Sequence, residues 1–327
     1  MSDNIAKKSL RFDHKAMNAM FTIFVDSSDT DPAEAEEAAN SAFATLDKLA
    51  HLLTRYSTTS DVAHANTLQG GDSHALSPET FECLTLAAEL AAETGRAFDP
   101  AAGTLTDFWK SNPIASLPGE PIETPEWRIA WEAHRVGEFS IDPQTHELFC
   151  ISPGSKLDLG AIGKGFALDE MARILEGTHS ISRALLSAGG STVLALDAPL
   201  LKPGWKIGFG GETTLPYLLL SRAAISSSGV HNQPTHLVDP RTGHVVTRTK
   251  LVRAYAPRAA EADALSTAFF VMERTEMEDY CASHMEHVAL LTTENDKGVP
   301  TSFDIIGNTS ALLWQEREDS GQTTGIT

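Results

Sequence analysis

The chain has 327 residues, of which 42% are hydrophobic, and its formal net charge at pH 7 is −19. A chain of this length can bury a substantial core without disulfide bonds, in one large domain or in two closely packed lobes. The excess of acidic groups argues against nucleic acid as a partner, because phosphate binding needs clustered Lys and Arg, and an anionic ligand would need a local positive site.

The N-terminal segment, MSDNIAKKSLRFDHKAMNAM, contains no apolar run that could form the core of a signal peptide. No later stretch approaches the ~20 apolar residues of a membrane span. We therefore expect a soluble protein that is cytoplasmic as the sequence stands, or periplasmic if a leader has been trimmed from it.

Two long helices are predicted in the first hundred residues. After a strand-like FTIFV, Asp31 suits the N-cap of an amphipathic helix over residues 33–53. Ser77, followed by proline, suits the N-cap of a second helix that runs to Gly95. The polar sequence between the two helices predicts a loop.

Residues 111–125 are rich in proline and predict an irregular surface excursion within one domain, because patterned sequence resumes directly after them. The runs EFSID, ELFCI and KLDLG then predict an antiparallel hairpin that leads into a helix after Gly165, bounded by Gly177.

The second half alternates short strand-like runs with turns. They are ALLSAG, STVLAL, WKIGFG, YLLLS, AAISSSG, HLVDP and LVRAYA, followed by a helix from Glu261 and a last strand at HVALLTT. Because strands and helices come in mixed order with hairpin-length connections, the pattern predicts an α+β fold with a mixed, largely antiparallel sheet and packed helices.

The stretch LDLGAIGKG, residues 157–165, is the first candidate for chemistry. It is not a Walker motif, since Gly160 and Gly163 are too close and Lys164 is followed by glycine, and it lacks the GxGxxG of a dinucleotide fold. Its amides could instead face an anion near a helix N-terminus, with Lys164 as a point charge. A plain hairpin-to-helix turn with a surface lysine fits equally well.

Two further stretches carry polar groups at informative spacing. His236 and Asp239, in HLVDPRTG, could polarise a hydroxyl, although DPRTG alone is typical of a simple turn. Asp263 and Thr267 lie four residues apart on one helix face, so both could reach a hard cation such as Mg²⁺. Alternatively, Asp263 caps that helix and Thr267 packs inside it.

The three cysteines, Cys83, Cys150 and Cys281, match no zinc or disulfide spacing and are expected to be reduced structural thiols. No cluster of His and Cys suggests zinc or iron.

Taken in order, these stretches resemble the FAD:protein FMN transferase family, the ApbE-like flavin transferases. The family pattern is a DLGxxxKG loop, a central AGG, a Ser/Thr-Ser-Gly before HxxDPxTG, and an ADAxxT helix. The matching segments here are residues 158–165, 188–190, 227–229, 236–243 and 262–267, with weaker matches at RYSTTSDVAHAN and RAFDPAAG. The similarity spans about residues 14–310.

The resemblance implies one flavin transferase domain over residues 14–313, with flexible termini at 1–13 and 314–327, and an ApbE-like, T-fold-related architecture. It implies Mg²⁺-dependent transfer of FMN from FAD to a Ser or Thr hydroxyl, with release of AMP. The implied partners are FAD and a flavin-accepting redox protein or subunit. Breaking the pyrophosphate requires neutralising charge on its oxygens, which Mg²⁺ and Lys164 could do.

The resemblance also assigns roles by position. Mg²⁺ would be held by the side chains of Asp263 and Thr267 and by the backbone carbonyl of Ala161. His236 falls on the family's functionally important histidine, and either it or Asp239 is the candidate base. The residues implied to bind FAD are Met17, Tyr56, Ala97, Phe98, Asp99, Asp158, Lys164 and Val238.

The chain departs from the family where Met17-Asn18-Ala19 replaces the usual Met-Gly-Thr, so the close approach that glycine permits is lost there. Two other functions stay open. Water could replace the acceptor, giving an FAD pyrophosphatase that yields FMN and AMP, or the chain could be a non-catalytic FAD-binding protein.

Overall fold

The structure is a computed structural model that describes residues 9–28, 30–112, 123–210, 213–229, 237–246, 251–295 and 298–317. The helices are α1 (Pro32–Leu52), α2 (Asp61–Ala65), α3 (Pro78–Glu93), α4 (Gly103–Ser111), α5 (Pro125–Val136), α6 (Gly163–Gly177), α7 (Ala259–Val271) and α8 (Arg274–Ser283).

The strands of the first half are β1 (Ser9–Ala16), β2 (Ala19–Asp26), β3 (Ser73–Ala75), β4 (Glu138–Asp142) and β5 (Glu147–Ser152). Those of the second half are β6 (Ala184–Ala188), β7 (Thr192–Ala195), β8 (Trp205–Ile207), β9 (Tyr217–Leu220), β10 (Ala223–Gly229), β11 (Val238–Asp239), β12 (His244–Val245), β13 (Leu251–Ala256), β14 (Val288–Glu294), β15 (Pro300–Gly307) and β16 (Leu313–Gln315).

The central element is an eight-stranded sheet in the order β1-β2-β6-β7-β10-β13-β14-β15, and each neighbouring pair in it is antiparallel. Helix α6 packs against both α1 and α7, and the three helices cover one face of this sheet. The α+β prediction with a largely antiparallel sheet is confirmed.

Both faces of the sheet are buried, and the alternation of side chains along each strand decides in which of two cores a residue packs. In β6, Leu186 packs in the core under the helices, whereas Leu185 packs in a second core on the opposite face. That second core is closed by the three-stranded sheet β16-β9-β8, which contributes Trp205 and Ile207. The period of two along a strand accounts for this division.

A third, smaller apolar cluster lies outside these layers. It joins α4 and α5 to the two-stranded hairpin β11–β12 through Phe108, Trp109, Trp127 and Val238. This cluster holds the hairpin against the rest of the molecule.

The capped helices agree with their sequence signals. Asp31 accepts a hydrogen bond from Ala33 N at 2.9 Å at the start of α1, and Ser77 caps α3 by accepting one from Thr80 N. Two short elements, α2 and β3, occupy the segment predicted to be a loop, and the sequence patterns do not predict β1, α4, α5, α8, β12, β15 or β16.

The strand predicted at KLDLG is wrong. The backbone of this segment is paired with distant groups instead: Leu157 N donates to Asn66 Oδ1 at 2.7 Å, and Asp158 N donates to Pro100 O at 2.8 Å. The helix that follows begins at Gly163, slightly earlier than expected, and ends at Gly177 as expected.

The predicted domain limits fall inside strands. β1 pairs with β2 along its whole length, so residues 9–13 belong to the sheet and not to a flexible terminus, and β16 extends across residue 314.

Of the predicted excursion at residues 111–125, residues 113–122 lie outside the described part, and α5 begins at Pro125.

The three cysteines are buried and unpaired. Burial raises the pKa of the Cys281 thiol to about 11 and raises that of Cys83 further, so neither is a reactive thiolate near neutral pH. None of the helices in the described part of the chain has the length and apolar character needed to cross a bilayer.

Candidate functional site

A cleft of about 540 Å³ gathers most of the residues that the sequence singled out. One side, here called the helix wall, consists of the loop before α6, the start of α6, α7 and the end of β10. The other side, the hairpin wall, consists of residues 97–102 and β11–β12. The predicted residues that line the cleft are Ala97, Phe98, Asp99, Asp158, Ala161, Lys164, Val238, Asp263 and Thr267.

The loop before α6 is shaped by its own polar groups. Asp158 Oδ1 accepts a hydrogen bond from Gly160 N at 2.9 Å, and Leu159 O accepts one from Gly163 N at 2.7 Å. The second Asp158 oxygen accepts from Nη1 of the buried Arg55 at 2.8 Å. The loop is therefore a fixed turn, and it lines the cleft with Gly160 and Ala161.

Asp263 lies in the helix wall and is only 4% exposed. Its Oδ1 accepts hydrogen bonds from the hydroxyls of Thr192 at 3.1 Å and Ser226 at 3.2 Å. Its Oδ2 accepts from Gly165 N at 3.1 Å and lies 3.3 Å from Lys164 Nζ. A buried carboxylate needs such partners, and here they fix both of its oxygens.

The close approach of α6 to α7 brings Lys164 to this carboxylate. A Cβ on Gly165 would lie 2.1 Å from the backbone oxygen of Ala259, so only glycine fits at this contact. Lys164 Nζ also donates to Gly160 O at 3.1 Å. The ammonium therefore bridges the loop and the Asp263 carboxylate.

The N-terminus of α7 is bound from α6. Asp169 accepts hydrogen bonds from Ala259 N at 2.8 Å and from Ala260 N at 3.0 Å. Burial raises the pKa of the Asp169 carboxyl to about 6, although these two bonds favour its charged form. The alternative in which Asp263 caps this helix is wrong, because the helix starts at Ala259, one turn earlier.

Thr267 lies one turn after Asp263 on α7, and its partly exposed side chain faces the cleft. Ser228, at the end of β10, supports this position: its Oγ lies 2.8 Å from Ser266 Oγ and 3.4 Å from Thr267 Oγ1. The Ser-Ser-Gly segment thus places a hydroxyl beside Thr267.

The helix wall offers oxygen donors suited to a hard cation. The Asp263 carboxylate, the Thr267 hydroxyl and Ala161 all line the cleft, and the Lys164 ammonium already rests against the carboxylate. Among the described residues, no three His, Cys, Asp or Glu side chains are grouped to hold a metal, so hydroxyl, carbonyl and water oxygens would complete the shell. The residues present fit Mg²⁺, which prefers oxygen ligands and keeps several waters.

The hairpin wall is organised around the turn of DPRTG. Asp239 O accepts a hydrogen bond from Gly243 N at 2.8 Å, and the Asp239 carboxylate accepts from Arg241 N, Nε and Nη2 at 2.9, 3.0 and 3.1 Å. Val238 and Pro240 line the cleft, whereas the buried Asp239 is not among the lining residues. Asp239 thus shapes the turn. His236 lies outside the described residues.

Residues 97–102 supply the rest of this wall. Asp99 Oδ2 accepts from Arg96 Nη2 at 2.7 Å, and Asp99 Oδ1 accepts from Ala101 N at 2.8 Å. Ala97 and Phe98 line the cleft as well, and both are almost completely buried. This segment therefore combines apolar packing with one anchored carboxylate.

Two predicted FAD-binding residues lie beside the cleft. Tyr56 is 72% exposed at its rim, where Lys110 Nζ, which lines the cleft, donates to Tyr56 Oη at 3.2 Å. Met17 lines a neighbouring cavity of about 530 Å³ that shares Lys164 and Ser191 with the cleft. The structure thus brings Met17 close to Lys164 but places it in an adjoining space.

The Met17-Asn18-Ala19 turn joins β1 to β2. Met17 and Asn18 have φ of 48° and 56°, so Asn18 adopts the left-handed conformation that glycine takes easily. The left-handed backbone is therefore kept without glycine, and the predicted loss of a close approach concerns the space that the Asn18 side chain takes at the edge of the second cavity.

Several residues of the site were missed from the sequence. Lys110 lines the cleft, Arg55 anchors the loop before α6, and Asp169 binds the start of α7. A map of basic residues near the motifs would have indicated the first two, because a chain with a net charge of −19 needs local positive charge to bind an anion. Asp169 stands inside the stretch KGFALDE, but its role depends on tertiary contact.

The comparison with protein families matches the model of the ApbE family to residues 17–292. Among curated proteins, the chain is similar to the FAD:protein FMN transferase of Treponema pallidum (strain Nichols), with 28% identity over 308 residues, covering 86% of this chain and 83% of that protein. It is also 28% identical over 279 residues to the FAD:protein FMN transferase of Klebsiella pneumoniae (strain 342), covering 80% and 77%.

Solved structures show the same fold. The flavin transferase ApbE from Vibrio cholerae superposes with a TM-score of 0.76 at 19% identity, covering 94% of this chain and 99% of that one. The ApbE protein from Thermotoga maritima gives a TM-score of 0.76 at 23% identity, covering 95% and 100%. The architecture described above is thus the one these proteins have.

Proposed function

The chain belongs to the ApbE family, and we propose from this membership that it is an Mg²⁺-dependent FAD:protein FMN transferase. FMN is transferred from FAD to a Ser or Thr hydroxyl of a flavin-accepting redox protein or subunit, and AMP is released. The observation that carries the proposal is the cleft, which gathers Lys164, Asp263 and Thr267 on one wall and Asp99 on the other.

The reaction breaks one phosphorus–oxygen bond and forms another. The acceptor hydroxyl attacks the phosphorus of the FMN half, the bond from that phosphorus to the bridging oxygen breaks, and AMP leaves with the bridging oxygen. The hydroxyl proton passes to a base. The charge that builds on the phosphate oxygens and on AMP is what the site must stabilise.

Lys164 supplies positive charge where the protein is otherwise strongly acidic. In this structure its ammonium contacts Gly160 O and the Asp263 carboxylate, and it lies where the cleft and the second cavity meet. We infer that it donates to the pyrophosphate oxygens when FAD is bound. Mg²⁺ held by Asp263, Thr267 and the carbonyl of Ala161 would neutralise charge on the same oxygens.

The base is inferred to be His236. The other candidate, Asp239, already accepts three hydrogen bonds from Arg241, so its oxygens are engaged in the turn. An imidazole suits proton abstraction near neutral pH. Asp239 then contributes by holding the turn that follows His236.

The test measures AMP release and acceptor mass together. Purified protein is incubated with FAD and a candidate acceptor, with Mg²⁺ or with EDTA, and in the absence of acceptor. The proposal expects the acceptor to gain FMN only with Mg²⁺. AMP release without acceptor modification would identify a pyrophosphatase instead, and FAD binding without any AMP release would identify a binding protein.

Asp263→Asn is the matching variant, and it is expected to lower transfer on the order of 10²–10³-fold, because it removes the charge from the buried carboxylate of the helix wall. Asp279→Asn, which changes an exposed acid on α8, is the control and should leave transfer unchanged. Equal activity in the two variants would contradict the role given to Asp263.

A further inference from the structure

His134 connects the two segments that form the hairpin wall. It lies on α5 and is only 5% exposed. Its Nδ1 is 3.3 Å from the carbonyl oxygen of Ala101, and its Nε2 is 3.1 Å from the carbonyl oxygen of Pro240. Ala101 lies between the cleft residues Asp99 and Ala102, and Pro240 lines the cleft.

The two partners of the ring are both backbone carbonyls, which can only accept hydrogen bonds. A neutral imidazole has one N–H and one lone pair, so it can donate to only one of them, and its lone pair would then face the other carbonyl oxygen. An imidazolium donates to both. The geometry is therefore satisfied only when both ring nitrogens carry protons.

The surroundings supply a counter-charge. Asp99 Oδ2, on a carboxylate that is almost fully buried, lies 3.9 Å from His134 Nε2. The other titratable or charged groups on the elements around the ring are Arg96, which is paired with Asp99, the Asp239–Arg241 pair on the turn, His244 of β12, and Asp107 and Lys110 of α4. A hydrogen bond from a charged donor in such a site is stronger than a neutral one.

We propose that His134, protonated on both ring nitrogens, is a positioning residue that ties residues 97–102 to the β11–β12 turn, so that loss of its proton loosens the hairpin wall and weakens FAD binding. The ligand named here rests on the proposed function. The neighbouring link between the turn and α4–α5 differs in kind, because Trp109 and Trp127 donate to Gly243 O through indole N–H groups that do not titrate.

The first test measures FAD affinity with Mg²⁺ and without acceptor from pH 5.5 to pH 8.5. The wild-type affinity is expected to fall about tenfold as the pH rises, the size expected for one charge-assisted hydrogen bond. In His134→Gln the affinity should be low and nearly independent of pH, and the KM for FAD should rise more than kcat falls. An unchanged pH profile in His134→Gln would overturn the proposal.

His51→Gln is the control, because His51 is exposed in the last turn of α1, and it should keep the wild-type profile. Circular dichroism and thermal unfolding show whether His134→Gln is folded. If it is not, ring-nitrogen NMR of ¹⁵N-histidine-labelled wild-type protein decides the question, and the spectrum of His287→Gln identifies the signal of His287, the other buried histidine among the described residues.

The NMR experiment reads the protonation state directly. A buried histidine signal other than that of His287, with both ring nitrogens protonated at pH 6.5 and a midpoint equal to that of the FAD affinity, supports the proposal. If the buried signal that remains in His287→Gln is neutral where FAD binds most tightly, the proposal is overturned. If FAD affinity falls with rising pH in this way but no FMN is transferred, the proposed function is contradicted and the role of His134 is not.

Discussion

The two walls of the cleft are built in different ways. The helix wall belongs to the main core: α6 and α7 touch backbone to backbone at Gly165, and every oxygen of Asp263 has a partner. The hairpin wall is divided: Ala97 and Phe98 pack in the main core, whereas β11–β12 rests on a small separate cluster. The turn of this hairpin is also held by Trp109, Trp127 and His134, which donate to its carbonyls.

This difference indicates a division of labour. Groups that stabilise developing charge must be fixed before the reaction, and the helix wall holds Lys164 and Asp263 in that way. The β11–β12 part of the hairpin wall, held by a small cluster and a few hydrogen bonds, opens at lower free-energy cost than the core, so it is suited to ligand entry and release. Substitutions in the helix wall should therefore affect folding and chemistry together, and those in the hairpin wall mainly binding.

The largest effect is expected for Gly165→Ala. Its methyl group would meet the backbone of Ala259 and Ala260, at 2.1 Å from the Ala259 oxygen, and backbone atoms cannot rotate away. The free energy of unfolding should fall by ~3 kcal/mol or more, at the upper end for overpacking, and transfer should fall with it because Lys164 moves relative to Asp263. Chemical denaturation and AMP release measure the two effects.

Gly177→Ala is the matched control on the same helix. A Cβ at Gly177 has no atom within 4 Å, so the change should be neutral or stabilise by up to ~1 kcal/mol through helix propensity. Similar losses in the two variants would show that the contact between α6 and α7 is not what fixes the helix wall.

The pKa of Asp169 predicts how the stability of the protein depends on pH. The folded-state pKa of about 6 lies above the ordinary value of 3.8, because burial penalises the charged form. Protonation therefore favours the folded state: the contribution is fully present below pH 3.8 and is lost as the pH rises through 6. Linkage puts its size at roughly 3 kcal/mol.

The side chain at position 169 cannot titrate in the variant Asp169→Asn. Subtracting the unfolding free energy of this variant therefore removes the pH dependence that the other carboxylates contribute. The difference in unfolding free energy, wild type minus Asp169→Asn, should decrease between about pH 4 and pH 6 and then stay constant. Urea unfolding at fixed pH values measures it. A difference that rises with pH would mean that the bonds from Ala259 N and Ala260 N outweigh burial.

In the hairpin wall, Trp127→Phe should have a smaller effect. It removes one of the two indole donors to Gly243 O, at 2.9 Å, while Trp109 keeps its own bond to the same oxygen. The expected cost is about 1–2 kcal/mol, with a rise of a few-fold in the KM for FAD and a smaller change in kcat.

Trp131→Phe separates packing from hydrogen bonding. Trp131 stacks on Trp127 with ring centroids 5.9 Å apart, but the bonds to Gly243 O come from Trp109 and Trp127. Its substitution should raise the KM for FAD less than Trp127→Phe does. The opposite order would mean that stacking, and not the indole donor, holds the turn.

The sequence predicted best what depends on neighbouring residues. The caps Asp31 and Ser77 located α1 and α3, and the alternating strands gave an antiparallel sheet, because caps and alternation are local signals. KLDLG failed as a strand because its backbone N–H groups donate to the Asn66 side chain and to the loop carbonyl of Pro100, and not to a neighbouring strand.

The residues of the site show the same difference between local signals and tertiary contacts. Motif order brought Lys164, Asp263 and Thr267 together correctly as residues of one cleft, although their roles stay predictions. The partners of Asp169 and His134 could not be foreseen, since each binds backbone groups that only the folded chain brings within reach.

The smallest effect is expected at the β1–β2 turn, which belongs to neither wall. Asn18 already holds φ at 56°, so Asn18→Gly relieves little strain and should change the free energy of unfolding by less than ~0.5 kcal/mol. Asn18→Val should cost more than ~1 kcal/mol, since a β-branched residue is strongly disfavoured at positive φ. Thermal unfolding compares the two. If Asn18→Gly nevertheless tightened FAD binding several-fold, the space beside Met17, and not the backbone, would be what the family's glycine provides.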